Sequence, residues 1–543
     1  TRRMERHDAI VIGGGLNGLT AAAYLARAGV DVLLVERNER LGSAAAGFDI
    51  HPGFCMPRFT LGTSSLPVQT ASELELSKFG LRFLRVDGGV SLMEDGRYLA
   101  NYRDGLMMRR ELSRHAAKDA DAWTRFRRDM LRAQLSLRDA LAHPMRDPSR
   151  RTLAAIRALL GDAQQFATKP VPELHDLTRM WTMSCGDFLG SYFASDFVKE
   201  HLAAKALAGT TFGPRSPSSA RFLMNPFHSE TEGALDGAPA SVIAVGGPQA
   251  VADALGAAIL AYGGHVRTEA EVTDVILRDG KARGVALADG EEIYADAVLS
   301  DLDLKRTFLT LFPWKDLPKG FVERVGRFRM RGVTAKINLA LDAMPAFPAL
   351  PDDCPALKGG LRLAMPLETL EQAFDDWRNH LPPRTPLIEV LIPSMTDRSL
   401  APVGKHVMSV AVHYVPEILH DGAWTQSRKD EFTDLVIRQI AGHSPGFKEL
   451  ILAVETLVSP DIESEVGLTA GDFEQGEMSL DQMFFNRPMP GLAGYETPVG
   501  NFYLCSGSAH PGALETGGAG AGAAQRVAAA LGRNVVTRRG VNA

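Results

Sequence analysis

The chain has 543 residues, a net charge of −6, 45% apolar content and 23% charged content. That is the make-up of a globular protein of several domains, at a prior of ~150 residues each, and its acidic balance gives no support to a nucleic-acid partner. No run of about 18 apolar residues exists, so no membrane-spanning helix is expected.

The first informative stretch is His7 to Ser43, HDAIVIGGGLNGLTAAAYLARAGVDVLLVERNERLGS. Ala9-Ile10-Val11-Ile12 has the length and branching of a buried parallel strand. It stops at Gly13-Gly14-Gly15-Leu16-Asn17-Gly18, which fits G-x-G-x-x-G. Leu19 to Ala28 is Ala- and Leu-rich, a predicted helix closed by Gly29. Val30 to Val35 is a second predicted strand ending in Glu36. Strand, glycine loop, helix, strand and acidic end in this register predict a dinucleotide site. Gly13 permits the tight turn, Gly15 the approach of a pyrophosphate, and Gly18 close helix–strand packing. The phosphates would meet the helix N-terminus, and Glu36 would accept hydrogen bonds from an adenosine ribose.

After Arg37 the small-residue stretch around Gly42, Ser43 and Ala44 to Gly47 can lie flat against a bound cofactor. Residues 51–70 are Pro- and Gly-rich and irregular, with His51 and Arg58 read as surface loop residues. Short strands are expected between Leu81 and Leu99. Residues 101–160 look helical and carry thirteen Arg and one Lys against seven acids. A solvated face explains this, and so does a surface resting on anionic lipid headgroups. Helices continue to residue 212, with Trp181, Phe188, Tyr192, Phe193 and Phe197 as aromatic bulk.

From residue 241 the nucleotide-type pattern returns. Gly246-Gly247-Pro248 opens a helix, Gln249 to Tyr262. Strands follow at Val266–Thr268, Val272–Leu277, Ala282–Leu287 and Ala295–Ser300, with Asp279-Gly280 and Asp289-Gly290 as hairpin turns. Residues 311–465 read as strands and helices with Pro-rich breaks, a separate substrate-side layer. Near the end, Asn501 to Cys505 is a predicted strand. Gly507 to Gly518 is a loop poor in bulky groups, and Ala519 to Leu531 is an Ala-rich helix. That helix N-terminus is a second electropositive spot, suited to an isoalloxazine that gains negative charge on reduction.

The four cysteines, Cys55, Cys185, Cys354 and Cys505, are far apart and form no C-x-x-C. A dithiol redox pair and a zinc knuckle are not expected, and no metal site is expected. A reducing compartment fits this usage. The first strand begins so near the N-terminus that no signal peptide is expected before it, which points to a cytoplasmic protein, with the basic segment placing it at the inner face of a membrane.

Three blocks, the N-terminal fingerprint, GGPQAVADAL…ADAVLSD and the C-terminal stretch, together resemble the phytoene-desaturase-like family of FAD oxidoreductases, within the amine-oxidase-type superfamily. GEMSLDQMFFNRP followed by YLCSGSAHPG is especially similar to the branch named for pyridine nucleotide-disulphide oxidoreductase domain-containing protein 2. The disulphide in that name finds no C-x-x-C here, and no second strand–GxGxxG–helix unit offers NAD(P)H its own domain. The resemblance implies an α/β fold with a Rossmann-type FAD-binding domain, a mixed-sheet substrate domain and a helical insertion. The cofactor domain would be discontinuous (1–90, 241–310, 466–543), with the helical region at 91–240 and the substrate layer at 311–465.

It also implies noncovalent FAD on Gly13, Gly15, Leu16, Asn17, Gly18, Glu36, Arg37, Gly42, Ser43, Val272, Gly507, Gly517 and Gly518, with Val272 meeting adenine through its backbone. Two departures stand out. Gly42-Ser43-Ala44 replaces the family's Gly-Gly-Arg, and His510-Pro511-Gly512-Ala513-Leu514-Glu515 replaces HPGGG. The expected activity is a desaturase or dehydrogenase that moves hydride from a largely apolar small molecule to flavin. An amine or alcohol oxidase on the same fold, and a non-catalytic escort or GDP-dissociation-inhibitor protein, are the alternatives. His510, Glu515, Glu477, Asp481 and Arg487 flank the expected flavin loop and are the catalytic candidates. Glu477 and Asp481, four apart, would share a face if helical, with Arg487 in a salt bridge to either.

Overall fold

A computed structural model describes residues 5–62, 66–141, 157, 170–225, 241–512 and 516–535. Its first sheet is seven-stranded, in the order 272–278, 281–287, 292–300, 5–12, 32–35, 265–267, with 502–504 added beside 292–300. The first strand pairs in parallel with its neighbours on both sides, Ala9 lying opposite Ala297 and Val32. Such a strand is covered on both faces and so reads as the continuous apolar run seen in the sequence. Ala9, Ile10 and Val11 are fully buried.

The helix Leu16–Arg27 starts at Gly15 and buries Leu19, Leu25 and a row of alanines. Two later helices pack against it, Gly247–Ala261 and Gly518–Ala530. Small residues let them come close. A Cβ on Gly520 would lie 2.1 Å from the Asn17 carbonyl oxygen. Hence the two ends of the chain meet at one helix pair.

The second sheet is mixed and has the order 451–457, 334–341, 406–413, 387–391, 361–363, 90–92, 98–100. Its one parallel contact joins Val90–Leu92 to Leu361–Leu363. Residues 90–92 and 98–100, at the expected edge between the first nucleotide segment and the helical region, therefore belong to this sheet. Ala335, Ile337, Leu339, Val410 and Val412 point to an apolar core shared with Phe432 and Val436 of the helix Gln426–His443. The opposite face is polar, and it bears on the site below.

Helices Gly105–His115, Ala120–Leu141, Val171–Thr182, Cys185–Gly190 and Asp196–Leu207 form the helical layer. Trp123, Phe126, Phe188, Phe193 and Phe197 fill its core. The rest of the basic stretch, 142–156 and 158–160, lies outside the described residues. No helix among the described residues is long and apolar enough to cross a membrane.

Candidate functional site

The glycine loop leaves the first strand through Gly13, whose φ of 99° is left-handed backbone that glycine adopts without strain. Gly18 has no room for a side chain, because a Cβ there would lie 2.2 Å from the Gly13 carbonyl oxygen. Above the loop are two cavities of about 330 and 420 Å³ that share Gly15, Ser43, Asp301 and Leu302 in their walls. The smaller is also lined by Gly13, Glu36, Arg37 and Val272. The larger continues past Leu16, Asn17, Gly42 and Gly507. Together they trace a bent slot from the acidic strand end, across the helix N-terminus, to the C-terminal loop.

Glu36 is 5% exposed. Its Oε2 accepts the Gly14 amide at 2.7 Å and its Oε1 the Asn38 amide at 2.8 Å. An ionised carboxylate has about four acceptor positions, so each oxygen keeps one for a vicinal diol. Arg37 donates to the Glu465 carbonyl at 2.7 Å. In the larger cavity, Thr60 Oγ1 and Gln475 Oε1 are buried without a hydrogen-bond partner. Orphaned groups of this kind cost roughly 1–3 kcal/mol each and are satisfied by a polar ligand. A dinucleotide with a polar ring system fits this slot.

Asp301 is a site residue that sequence reasoning missed. It follows the strand 292–300, and its amide donates to the Ile12 carbonyl at 2.8 Å. Its carboxyl hangs over the loop, so a Cβ on Gly15 would lie 2.5 Å from Asp301 Oδ2. Burial pushes this carboxyl well above the usual carboxylate range, against the hydrogen bonds it accepts from the Gly18 and Gly15 amides. The neutral form spares an incoming pyrophosphate a like charge.

The remaining predicted residues lie elsewhere. Gly517 caps the helix Gly518–Ala530 at φ 81°, where a Cβ would lie 3.1 Å from Leu66 and Thr20, and Gly518 is buried beside it. Neither lines a cavity wall. His510 is buried and off both walls, and Glu515 lies outside the described residues. Glu477 and Asp481 are not on a common α-helix; the local structure is a short 3-10 turn, Leu480–Gln482. Their partner is Arg329, which reaches Glu477 at 2.8 Å and Asp481 at 2.7 Å, and Glu477 also pairs with Arg331.

The expected salt bridge from Arg487 is replaced by a different arrangement. Arg487 is fully buried and donates to the carbonyls of Gly507, Gly476, Glu477, Gln482 and Glu474. Burial pushes its guanidinium down to about 10, which leaves it charged at neutral pH. It clamps the 474–482 segment to the C-terminal loop. At the start of that segment and just before it, burial raises Glu474 to about 8 and Asp472 to about 7, and both line the larger cavity.

The polar face of the second sheet supplies what the sequence did not reveal. Thr334 and His413 are cross-strand partners, as are Arg362 and Glu389. His413 Nδ1 is 3.1 Å from Thr334 Oγ1, and His413 Nε2 is 3.1 Å from Glu389 Oε2. Arg362 Nε donates to Glu389 Oε1. Thr334, His413 and Glu389 line the larger cavity. Burial alone would raise the Glu389 carboxyl, but the Arg362 charge and the His413 hydrogen bond outweigh it and hold it at about 2. The carboxylate only accepts, so His413 turns a ring N–H to it at Nε2, while its Nδ1 faces the Thr334 hydroxyl. Lys336 lies on the same face, two residues on, and burial pushes its amine down to about 7 against the pull of Glu455.

The FAD dependent oxidoreductase family profile matches residues 8–209. The chain is 35% identical to the rat (Rattus norvegicus) pyridine nucleotide-disulfide oxidoreductase domain-containing protein 2, covering 96% of this chain and 93% of the relative. It is 27% identical to the phytoene desaturase of Cercospora nicotianae, over 77% of this chain and 63% of that one. Among solved structures, the cyclohexylamine oxidase of Brevibacterium oxydans IH-35A matches with a TM-score of 0.56 at 15% identity, covering 97% of this chain and all of that one, a likeness of fold. The chain belongs to the phytoene-desaturase-like family of FAD-dependent oxidoreductases, in the branch of pyridine nucleotide-disulfide oxidoreductase domain-containing protein 2.

Proposed function

We propose that this oxidoreductase holds FAD noncovalently and dehydrogenates a largely apolar small molecule, in the manner of a desaturase. Bound FAD supplies the hydride acceptor. Gly15 and the N-terminus of the first helix receive the pyrophosphate, and Glu36 receives the ribose hydroxyls. His51, Cys55 and Cys505, side chains of the types that can carry a covalent flavin, line neither cavity wall, and burial raises both thiols.

The observation that carries the reading is the chain Thr334–His413–Glu389. Forming a C=C bond breaks two C–H bonds, and only one hydrogen leaves as hydride; the other needs a base. Thr334 Oγ would take that proton as its own passes to His413 Nδ1, and Glu389 would stabilise the imidazolium at Nε2–H. Arg362 keeps Glu389 ionised. A neutral amine gives up hydride to leave an iminium and makes no such demand, so the relay favours carbon–carbon dehydrogenation over amine oxidation. Leu61, Val333, Leu468 and Phe473 give the cavity an apolar lining.

An anaerobic screen of apolar lipids, alcohols and amines, followed as loss of the flavin band near 450 nm, tests this. An apolar substrate should bleach the wild type, and His413→Gln should slow bleaching by roughly 10²- to 10⁴-fold at unchanged flavin content. Bleaching by amines at a rate indifferent to His413→Gln would favour the amine-oxidase reading.

Substrate delivery from a membrane belongs to the same proposal. Arg109, Arg110, Arg125, Arg128 and Arg132 are exposed on helices 105–115 and 120–141. Leu106, Met107 and Leu135 are exposed there too. Each basic residue is worth on the order of 1 kcal/mol at an anionic surface. Flotation with phosphatidylglycerol vesicles should carry the protein at low salt, and replacing Arg125, Arg127 and Arg128 by Ser should weaken it without loss of FAD. A wild-type protein that stays in the soluble fraction refutes docking.

A further inference from the structure

At the end of the first sheet away from the glycine loop, three residues far apart in sequence come together. His7 lies near the start of strand 5–12, Asp31 just before strand 32–35, and His265 opens strand 265–267. These strands are immediate neighbours. His7 Nδ1 is 2.9 Å from Asp31 Oδ1, and His265 Nε2 is 3.4 Å from the same oxygen. The three ligand-type atoms lie within 4.8 Å of one another. Bonds of about 2.0–2.2 Å at tetrahedral angles would place such atoms roughly 3.3 Å apart, so small side-chain rotations suffice to surround one ion.

The surroundings are those of a prepared site. His7 Nε2 lies 3.1 Å from Glu5 Oε1. With its proton on Nε2 and donated to Glu5, His7 presents the Nδ1 lone pair to a metal, the carboxylate–histidine–metal arrangement that orients a ligand and raises its basicity. The backbone of Asp31 is pinned by Asp8. The Asp31 amide donates to Asp8 Oδ2 at 3.1 Å, and the Asp8 amide to the Asp31 carbonyl at 2.9 Å. The nearby arginines are engaged elsewhere, Arg6 with Asp296 and Arg267 with Glu291. The ion pairs of Asp31 among the described residues are with the two histidines.

We propose that His7, Asp31 and His265 form a binding site for a borderline divalent cation of the zinc type, completed by water, that staples the N-terminal ends of three adjacent strands. Two imidazoles and one carboxylate suit zinc above the harder magnesium and calcium. The site is separate from the cofactor slot and takes no part in hydride transfer. It is invisible in sequence, because its members are not spaced as a motif.

The test uses the FAD-loaded full chain, stripped of metal by chelator and titrated with zinc chloride by calorimetry, with cobalt(II) as a coloured substitute. The expected result is one saturable zinc per chain, visible d–d absorption with cobalt, and a higher melting temperature with zinc. His7→Asn and His265→Gln should each abolish binding, and Glu5→Gln should weaken it roughly 10- to 100-fold. Flavin content should not change in any of them. Absence of saturable zinc binding in the wild type overturns the proposal, and so does binding that both histidine variants retain. Should a histidine variant fail to fold, Asp31→Asn, which keeps size and shape, reads the same loss.

Discussion

Replacing Arg487 by Met separates a structural clamp from a catalytic group. The methionine keeps an unbranched apolar stem but removes every donor from a fully buried position where five backbone carbonyls converge. The closest contact is to the Gly507 carbonyl at 2.6 Å. A Cβ on Gly512 would lie 2.3 Å from Arg487 Nε, so the loop is moulded on this side chain. At about 1 kcal/mol net per hydrogen bond, five lost partners approach 5 kcal/mol. Single changes rarely exceed that, so about 4 kcal/mol is expected for Arg487→Met. Arg487→Lys keeps the charge and three donors and should cost about 2 kcal/mol.

An unfolding entropy of about 2.1 cal/mol/K per residue gives roughly 1.1 kcal/mol/K for the whole chain. The melting temperature should then fall by about 4 °C for Met and about 2 °C for Lys, measured by circular dichroism with FAD in fixed excess. A Met variant that melts within about 1 °C of wild type yet fails to bleach its flavin would refute the clamp and restore Arg487 as a catalytic candidate.

Gly15→Val should purify with little flavin, because its Cβ is forced against Asp301 Oδ2 and its branches into the slot; full flavin content refutes the assignment. Glu36→Ala should weaken FAD retention by about 1.5–3 kcal/mol, roughly 10- to 150-fold in Kd by equilibrium dialysis, and stoichiometric NADH without flavin in the native protein would contradict it. Asp301 has a raised pKa in the folded state, so its contribution is fully present below the ordinary carboxylate range and is lost as pH rises toward the raised value. The melting temperature of the flavin-free protein should decline with rising pH through that window, and Asp301→Asn should flatten the decline; an unchanged slope excludes Asp301 as its source.

The parts legible from sequence are those whose signals are local. The strand–loop–helix at 7–43, the helix after Gly246 and the hairpins at Asp279-Gly280 and Asp289-Gly290 each carry their geometry within a few residues. The chemistry face of the second sheet does not. Thr334, Lys336 and Asn338 alternate with Ala335, Ile337 and Leu339, a period-two pattern, but periodicity alone does not tell a solvated polar face from one closed over a cavity. Arg362, Glu389 and His413 are assembled only by strand register. Nearness in sequence to the flavin loop does not report a side chain's partners, since Glu477 and Asp481 are engaged by Arg329, a residue about 150 positions earlier.

The strand order of the first sheet bears on how the protein is made. Strand 292–300 is held between the first strand on one side and 502–504 on the other, and the helix Gly518–Ala530 packs against Leu16–Arg27. At about 5–20 residues per second, a ribosome needs roughly 25–100 s to travel from the first strand to the last. For all that time the nascent nucleotide-binding half lacks its closing strand and its partner helix. The cofactor pocket is thus finished only after residues 502–530 have been made, which makes flavin capture a late event in synthesis.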